Sequence, residues 1–172
     1  ALLSRVHAQM ASLLIRIQLP YETLDEAHNA EKTGVRAGDS LMMLDGKMQK
    51  AYAYFLIGNL DSVISISEFV SKRYLQYGDT LYSLIALKSV TIGYIKKEML
   101  EPARTAMDAY ERLLTDKPNN IVAYSKKNFN LIKAQFYLKC HQYDSGYHYN
   151  QLANSLAVTP EERLNVLRGF SH

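Results

Sequence analysis

The sequence predicts an all-α fold of stacked helix pairs, and three observations carry that prediction. A short template recurs: a small residue, two others, a tyrosine, then another small residue nine positions after the tyrosine. It stands at Ala51-x-x-Tyr54 with Val63, at Thr91-x-x-Tyr94 with Ala103, and at Ala134-x-x-Tyr137 with Gly146; a fainter copy, Ile15-x-x-Gln18 with Ala27, precedes them. The anchors at 18, 54, 94 and 137 lie 36, 40 and 43 residues apart, a range typical of helical solenoids, in which each unit buries its apolar face only against the next. The punctuation repeats as well, since Gly38-Asp39-Ser40 returns as Gly78-Asp79-Thr80. Glycine ends one helix and a short polar side chain starts the next. Finally, no stretch alternates with the period of a strand for long enough to compete.

The elements follow in order. Leu2 to about Leu19 reads as a helix stopped near Pro20, because proline lacks an amide proton and clashes with the preceding turn. Its partner is expected from about Asp25 to Gly38. Helices are then predicted from Leu41 to Ile57 and from Asp61 to Tyr77, separated by the turn signal Gly58-Asn59. A third pair runs from Leu81 to Lys97 and from Glu101 to Thr115, with Pro102 in a first turn where its missing amide costs little. After the break at Lys117-Pro118-Asn119-Asn120, a fourth pair runs from Ile121 to Lys139 and from Asp144 to Ala157. Thr159-Pro160-Glu161-Glu162 combines an N-cap, a proline and a capping-box acid, so a short terminal helix is expected over 160–168. The units are thus about 2–38, 40–77, 80–116 and 120–157. The second helices begin alike, at Leu24-Asp25-x-Ala27, Leu60-Asp61-x-Val63, Leu100-Glu101-x-Ala103 and Tyr143-Asp144-x-Gly146. In each case an apolar residue precedes an acid expected at the positive end of the helix, with a small residue two positions later for close packing.

With 172 residues, 48% of them hydrophobic, the chain can bury a substantial core as one domain. It has 4 Pro, 8 Gly and no low-complexity run, so the reading is a single helical repeat domain. A net charge of +3 is mildly basic and falls short of a nucleic-acid signature. The single cysteine, Cys140, excludes an internal disulfide. Leu13-Leu14-Ile15 is cut by Arg16 and Leu84-Ile85-Ala86-Leu87 by Lys88, so no apolar run approaches the roughly 20 residues of a membrane span. The chain starts inside a helical pattern, which makes a piece of a longer protein the expectation. Either the cytoplasm or the outer face of a membrane-anchored regulator would suit it.

At the repeated template the chain resembles the tetratricopeptide repeat family, from about Leu2 to Ala157. The small-x-x-Tyr element corresponds to the family's closest contact within a helix pair, and the small residue nine later to its second-helix alanine. The family's tryptophan is absent, and its later aromatic is replaced by Glu31, Ser67, Met107 and Asn150. The resemblance implies a right-handed α-α superhelix of about four helix-turn-helix units. The long repeats with Gly-Asp between units look like arrays fused to bacterial sensor kinases and transcription regulators. That likeness implies a non-catalytic scaffold for protein or peptide partners in signal transduction, with no cofactor.

Tyr54, Tyr94 and Tyr137 are assigned to the core by the template. In the family's register the first helices line a concave face, which would bring Tyr52, Phe55, Ile92, Lys96, Gln135 and Lys139 to a partner-binding groove. Tyr52 has a second reading, packing between neighbouring units. An apolar and basic groove suits an amphipathic or acidic peptide. Lys117, Lys126, Lys127, Lys133 and Lys139 occupy a stretch without acids, so the alternative function is an adaptor contacting nucleic acid through the fourth unit. Lys126 and Lys133 share a helical face while Lys127 and Lys139 point elsewhere, the usual pattern of a solvated helix. Cys140, His141, Asp144 and His148 are metal-ligating types, but Cys140 and His141 straddle a turn and no second ligand set exists. No phosphate-binding glycine loop or nucleophile elbow is present, so no enzyme is expected.

Overall fold

The computed structural model describes residues 2–115 and 119–157, with side chains described throughout except at 119–124. Eight helices follow one another: α1 Leu2–Arg16, α2 Pro20–Arg36, α3 Ser40–Ile57, α4 Leu60–Gln76, α5 Thr80–Lys96, α6 Leu100–Thr115, α7 Asn119–Lys139 and α8 Tyr143–Ser155. No strand occurs among the described residues, and the helices pack in consecutive pairs as an all-α helical repeat. The segment Thr159 onward, expected as a terminal helix, lies outside the described residues.

The chain divides into two compact units, one running to Gly93 and the other starting at Tyr94. In the first, α1 pairs with α2 and α3 with α4, while α2 lies against α3 and α1 also touches α3. In the second, α7 packs on α6 and on α8. There Tyr110 stacks on Phe129, with ring centroids 5.1 Å apart, and its hydroxyl donates to the Ser125 carbonyl at 3.2 Å.

One turn geometry recurs after six helices. Residues 18, 38, 58, 78, 98 and 141 have positive φ, so the first five follow at intervals of 20. Each time the following amide reaches back five residues: Leu19 to Leu14, Asp39 to Gly34, Asn59 to Tyr54, Asp79 to Tyr74, Met99 to Tyr94 and Gln142 to Tyr137, at 2.8–3.0 Å. This double-bonded cap satisfies carbonyls that a helix end leaves orphaned. Glycine occupies three of the six positions; Gln18, Glu98 and His141 hold the left-handed conformation with a side chain, which costs about 1 kcal/mol. Gln18→Gly is therefore expected to raise stability by about 1 kcal/mol in urea titration, since no side-chain bond of Gln18 would be lost. A destabilised variant would show that the Gln18 side chain has a role in the turn. Asp39, Asn59 and Asp79 cap the next helices by accepting the amides of Met42, Ser62 and Tyr82 at 3.0–3.1 Å.

These turns correct the register of the first unit. Proline at the first helical position fits without strain, so α2 starts at Pro20 rather than at Asp25. Counting from the turns, the first anchor is Leu14 rather than Gln18, and its small partners are Ala11 and Thr23 rather than Ile15 and Ala27. Both are fully buried. The anchors Leu14, Tyr54, Tyr94 and Tyr137 are then 40, 40 and 43 residues apart. The missing aromatic position falls on Ala27, Ser67, Met107 and Asn150, all buried.

The anchor tyrosines differ from expectation. Ala51, Thr91 and Ala134 are buried, as are Val63, Ala103 and Gly146, and a Cβ on Gly146 would meet the Ala134 carbonyl at 3.3 Å. Small residues therefore line the contact between paired helices, where the Leu138 side chain also approaches Gly146. Tyr54, Tyr94 and Tyr137 are only half-buried, and the Tyr137 ring stacks on Tyr149 of α8 at 5.4 Å. Among the described residues the fully enclosed tyrosines are Tyr74 of α4 and Tyr110 of α6.

Candidate partner-binding faces

The six residues expected on a concave face occupy three turn-relative positions, and each unit carries some of them. Tyr52, Ile92 and Gln135 stand six residues before the left-handed residue of their turns, and all three are half-buried. Lys96 and Lys139 stand two before it and are exposed; the equivalent residue of α3 is Leu56, also exposed. Phe55 is one position out of that row. Its counterpart in α5 is the buried Ile95, so Phe55 itself, half-buried, belongs partly to the interior.

In the first unit, Tyr52 lays its ring on the cluster of Leu44, Met48, Val70, Tyr74 and Ala86. Helices α3, α4 and α5 all contribute to that cluster, which gives Tyr52 a packing role between neighbouring pairs. In the second unit, the Lys139 ammonium bonds the Glu98 carboxylate at 3.0 Å, and that bond and charge hold Glu98 below the usual carboxylate range. Both groups are well exposed, so the pair fixes geometry more than stability.

The lysines of the fourth unit do not act as one set. Lys133 pairs with Glu111 at 3.0 Å while lying over the rings of Phe129, at 4.4 Å, and Tyr149, at 5.2 Å. Lys127 is buried and Lys126 exposed. With Lys139 tied to Glu98, the positive charge is partly matched and partly enclosed. A similar arrangement joins α2 to α3, where Glu31 receives both Lys47, at 2.7 Å, and Lys50. Burial raises the Glu31 carboxyl, but the two ammonium groups outweigh it and hold its pKa below the ordinary value.

A polar contact invisible in the sequence lies deeper. The Tyr74 hydroxyl donates to Asp45 Oδ1 at 2.5 Å, and Tyr82 stacks on the Tyr74 ring at 5.2 Å. Burial pushes the Asp45 carboxyl above its ordinary pKa; the bond from Tyr74 opposes this, and the charges of Asp39 and Asp79 add to it. Burial, then Asp45 itself, pushes the Tyr74 hydroxyl well above the usual tyrosine range. No sequence signal links these partners, which are 29 residues apart.

Among the described residues no group of three or more His, Cys, Asp or Glu side chains could hold a metal ion. Around Cys140, His141 lies beside Tyr143, its Nδ1 3.2 Å from the Tyr143 hydroxyl. No described helix is long and apolar enough to cross a membrane. No protein-family model matches this chain, and neither the curated proteins nor the solved structures contain a match.

Proposed function

We propose that the chain is a non-catalytic interaction module that receives a protein or peptide segment on the faces of its odd-numbered helices. One observation carries this reading. In α3, α5 and α7 the frame is constant: a buried small residue at 51, 91 and 134 and the same turn at 58, 98 and 141. The residues beside that frame change freely in chemistry while staying reachable, from Tyr52 to Ile92 to Gln135 and from Leu56 to Lys96 to Lys139. A rigid frame with variable, accessible side chains is how repeat proteins present recognition surfaces. Exposed amines beside half-open apolar groups suit segments that combine carboxylates with aliphatic side chains. The resemblance to tetratricopeptide arrays fused to bacterial regulators supports a place in signal transduction or transcription control.

The test is a peptide array probed with the wild type and with the Lys96→Glu, Lys139→Glu double variant. Both lysines are exposed, so the melting temperature is expected to stay within about 2 °C. Capture of acidic, apolar peptides is expected to fall at least tenfold. Equal capture by the two proteins would remove these faces from the function.

A further inference from the structure

The turns give every residue a position in the repeat, and one ion pair recurs at matching positions. Glu31 stands 13 residues after the turn at 18, and Glu111 stands 13 after the turn at 98. Lys50 and Lys133 each stand eight residues before the turn that ends their own helix. In both cases the lysine of an odd-numbered helix reaches the glutamate of the helix before it: Lys50 reaches Glu31, and Lys133 reaches Glu111 at 3.0 Å. The Lys–Glu pair thus belongs to the repeat frame.

Its surroundings do not. The Lys133 ammonium also lies 4.4 Å from the centre of the Phe129 ring and 5.2 Å from that of Tyr149. Both distances fall within the roughly 6 Å over which a ring face attracts a cation. Counted from the turns, Phe129 stands where α3 has Gly46 and α5 has Ala86, and Tyr149 stands where α4 has Ile66 and α6 has Ala106. Two positions without a ring elsewhere carry one here, and both rings meet the same ammonium. Each is braced by a tyrosine: Phe129 stacks on Tyr110 at 5.1 Å with planes 3° apart, and Tyr149 on Tyr137 at 5.4 Å and 4°. The cluster still reaches solvent, since Tyr149 is only half-buried and the Glu111 side chain is 52% exposed.

We infer that Phe129, Tyr149 and Glu111 form a binding site for an alkylated ammonium group, and that Lys133 is its built-in occupant, displaced when such a ligand arrives. An unmodified lysine ammonium is compact and strongly hydrated, and a carboxylate alone serves it, as Glu31 serves Lys50. An alkylated ammonium has fewer N–H groups or none, and is recognised by aromatic faces. Here two braced rings supply the faces and Glu111 the opposite charge. A trimethyllysine side chain on a protein segment and a free quaternary amine share this chemistry. None of these residues is among those named for the proposed function, and neither reading depends on the other.

The probes are choline, its uncharged carbon isostere, and a short peptide carrying trimethyllysine or unmodified lysine, each titrated calorimetrically into the whole chain. Lys133→Ala removes the competitor and is expected to bind choline at least about tenfold tighter than the wild type, and to prefer it over the isostere by a similar factor. Adding Tyr149→Leu keeps the bulk, removes the ring face, and should weaken that binding about tenfold. The wild type gives a check that needs no variant: NMR signals of the Lys133 ε-methylene, displaced by the two rings, should return toward their ordinary position as choline is added. A trimethyllysine peptide bound more tightly than choline identifies a protein-borne ligand; one bound no more tightly identifies a free amine. The inference is overturned if Lys133→Ala shows no saturable choline binding, if the isostere binds as well, or if Tyr149→Leu changes nothing. Equal binding of the two peptides, or Lys133 signals that stay in place at saturating choline, overturns it too, leaving the rings as packing for Lys133 alone.

Discussion

Replacing Gly46 with alanine is expected to lower stability by about 3 kcal/mol, the upper end of the usual range for forcing atoms into a packed core. The added carbon would stand 2.6 Å from the backbone nitrogen of Glu31 and 2.9 Å from the carbonyl of Ala27. Neither can swing aside as a side-chain tip can, so α2 and α3 must part along their shared face. Parting them also stretches the contacts of Glu31 with Lys47 and Lys50. Denaturant titration measures the loss. Gly58→Ala serves as comparison: it has open space around it but a φ of 86°, so it should cost only about 1 kcal/mol. A Gly46→Ala variant no worse than Gly58→Ala would mean that the two backbones do not meet at this glycine.

The second large effect is expected from Tyr74→Phe. The ring and its stack on Tyr82 survive, while the partly buried Asp45 carboxylate loses its donor. Removing a hydrogen bond to a charged, partly buried group costs about 1.5–3 kcal/mol at neutral pH. The pH dependence gives a second check. The folded-state pKa of Asp45 is raised by burial, so its contribution favours the fold below the unfolded value and is lost as pH rises through the folded one. Without the Tyr74 bond that pKa rises further. The difference between variant and wild type should therefore be largest at neutral pH and shrink as the carboxyl protonates on acidification. Glu31 runs the opposite way: its depressed pKa contributes stability that is lost as pH falls. That contribution is common to both proteins and cancels in the difference. A Tyr74→Phe penalty independent of pH would show that the hydroxyl does not act through Asp45.

The helical fold and its pairing were legible because the apolar spacing and the glycine turns agree. Gly38, Gly58 and Gly78 mark three turns openly. The same conformation at Gln18, Glu98 and His141 has no such marker. The missing mark at 18 explains why the first repeat reads four residues out of register and why the sequence places the start of α2 at Asp25. Half-burial of Tyr54, Tyr94 and Tyr137 was hidden for another reason: the template shows that a tyrosine recurs, not how far its ring extends past the small residues that make the contact. Tyr52, Ile92 and Gln135 share one turn-relative position, whereas Phe55 stands one position off the row of Lys96 and Lys139. The Asp45–Tyr74 pair joins different helices, so no local pattern announces it.

The step from the turn at 98 to the turn at 141 is 43 residues instead of 40. Going forward from the first, Ala103, Met107, Tyr110 and Leu114 match the buried Val63, Ser67, Val70 and Tyr74. Going backward from the second, Ala134, Phe129 and Lys127 match the buried Thr91, Ala86 and Leu84. Both ends keep phase, so the three additional residues are absorbed between Leu114 and Lys127. Three residues turn a helix by about 300°, enough to rotate any face that lay between the surplus and its turn. In this one case the extra length lies before Lys127, and the spacing from there to the turn of the odd-numbered helix α7 is kept. A graft or deletion at the start of such a helix should leave its neighbours' faces aligned, while one of the same size in its last two turns should scramble them.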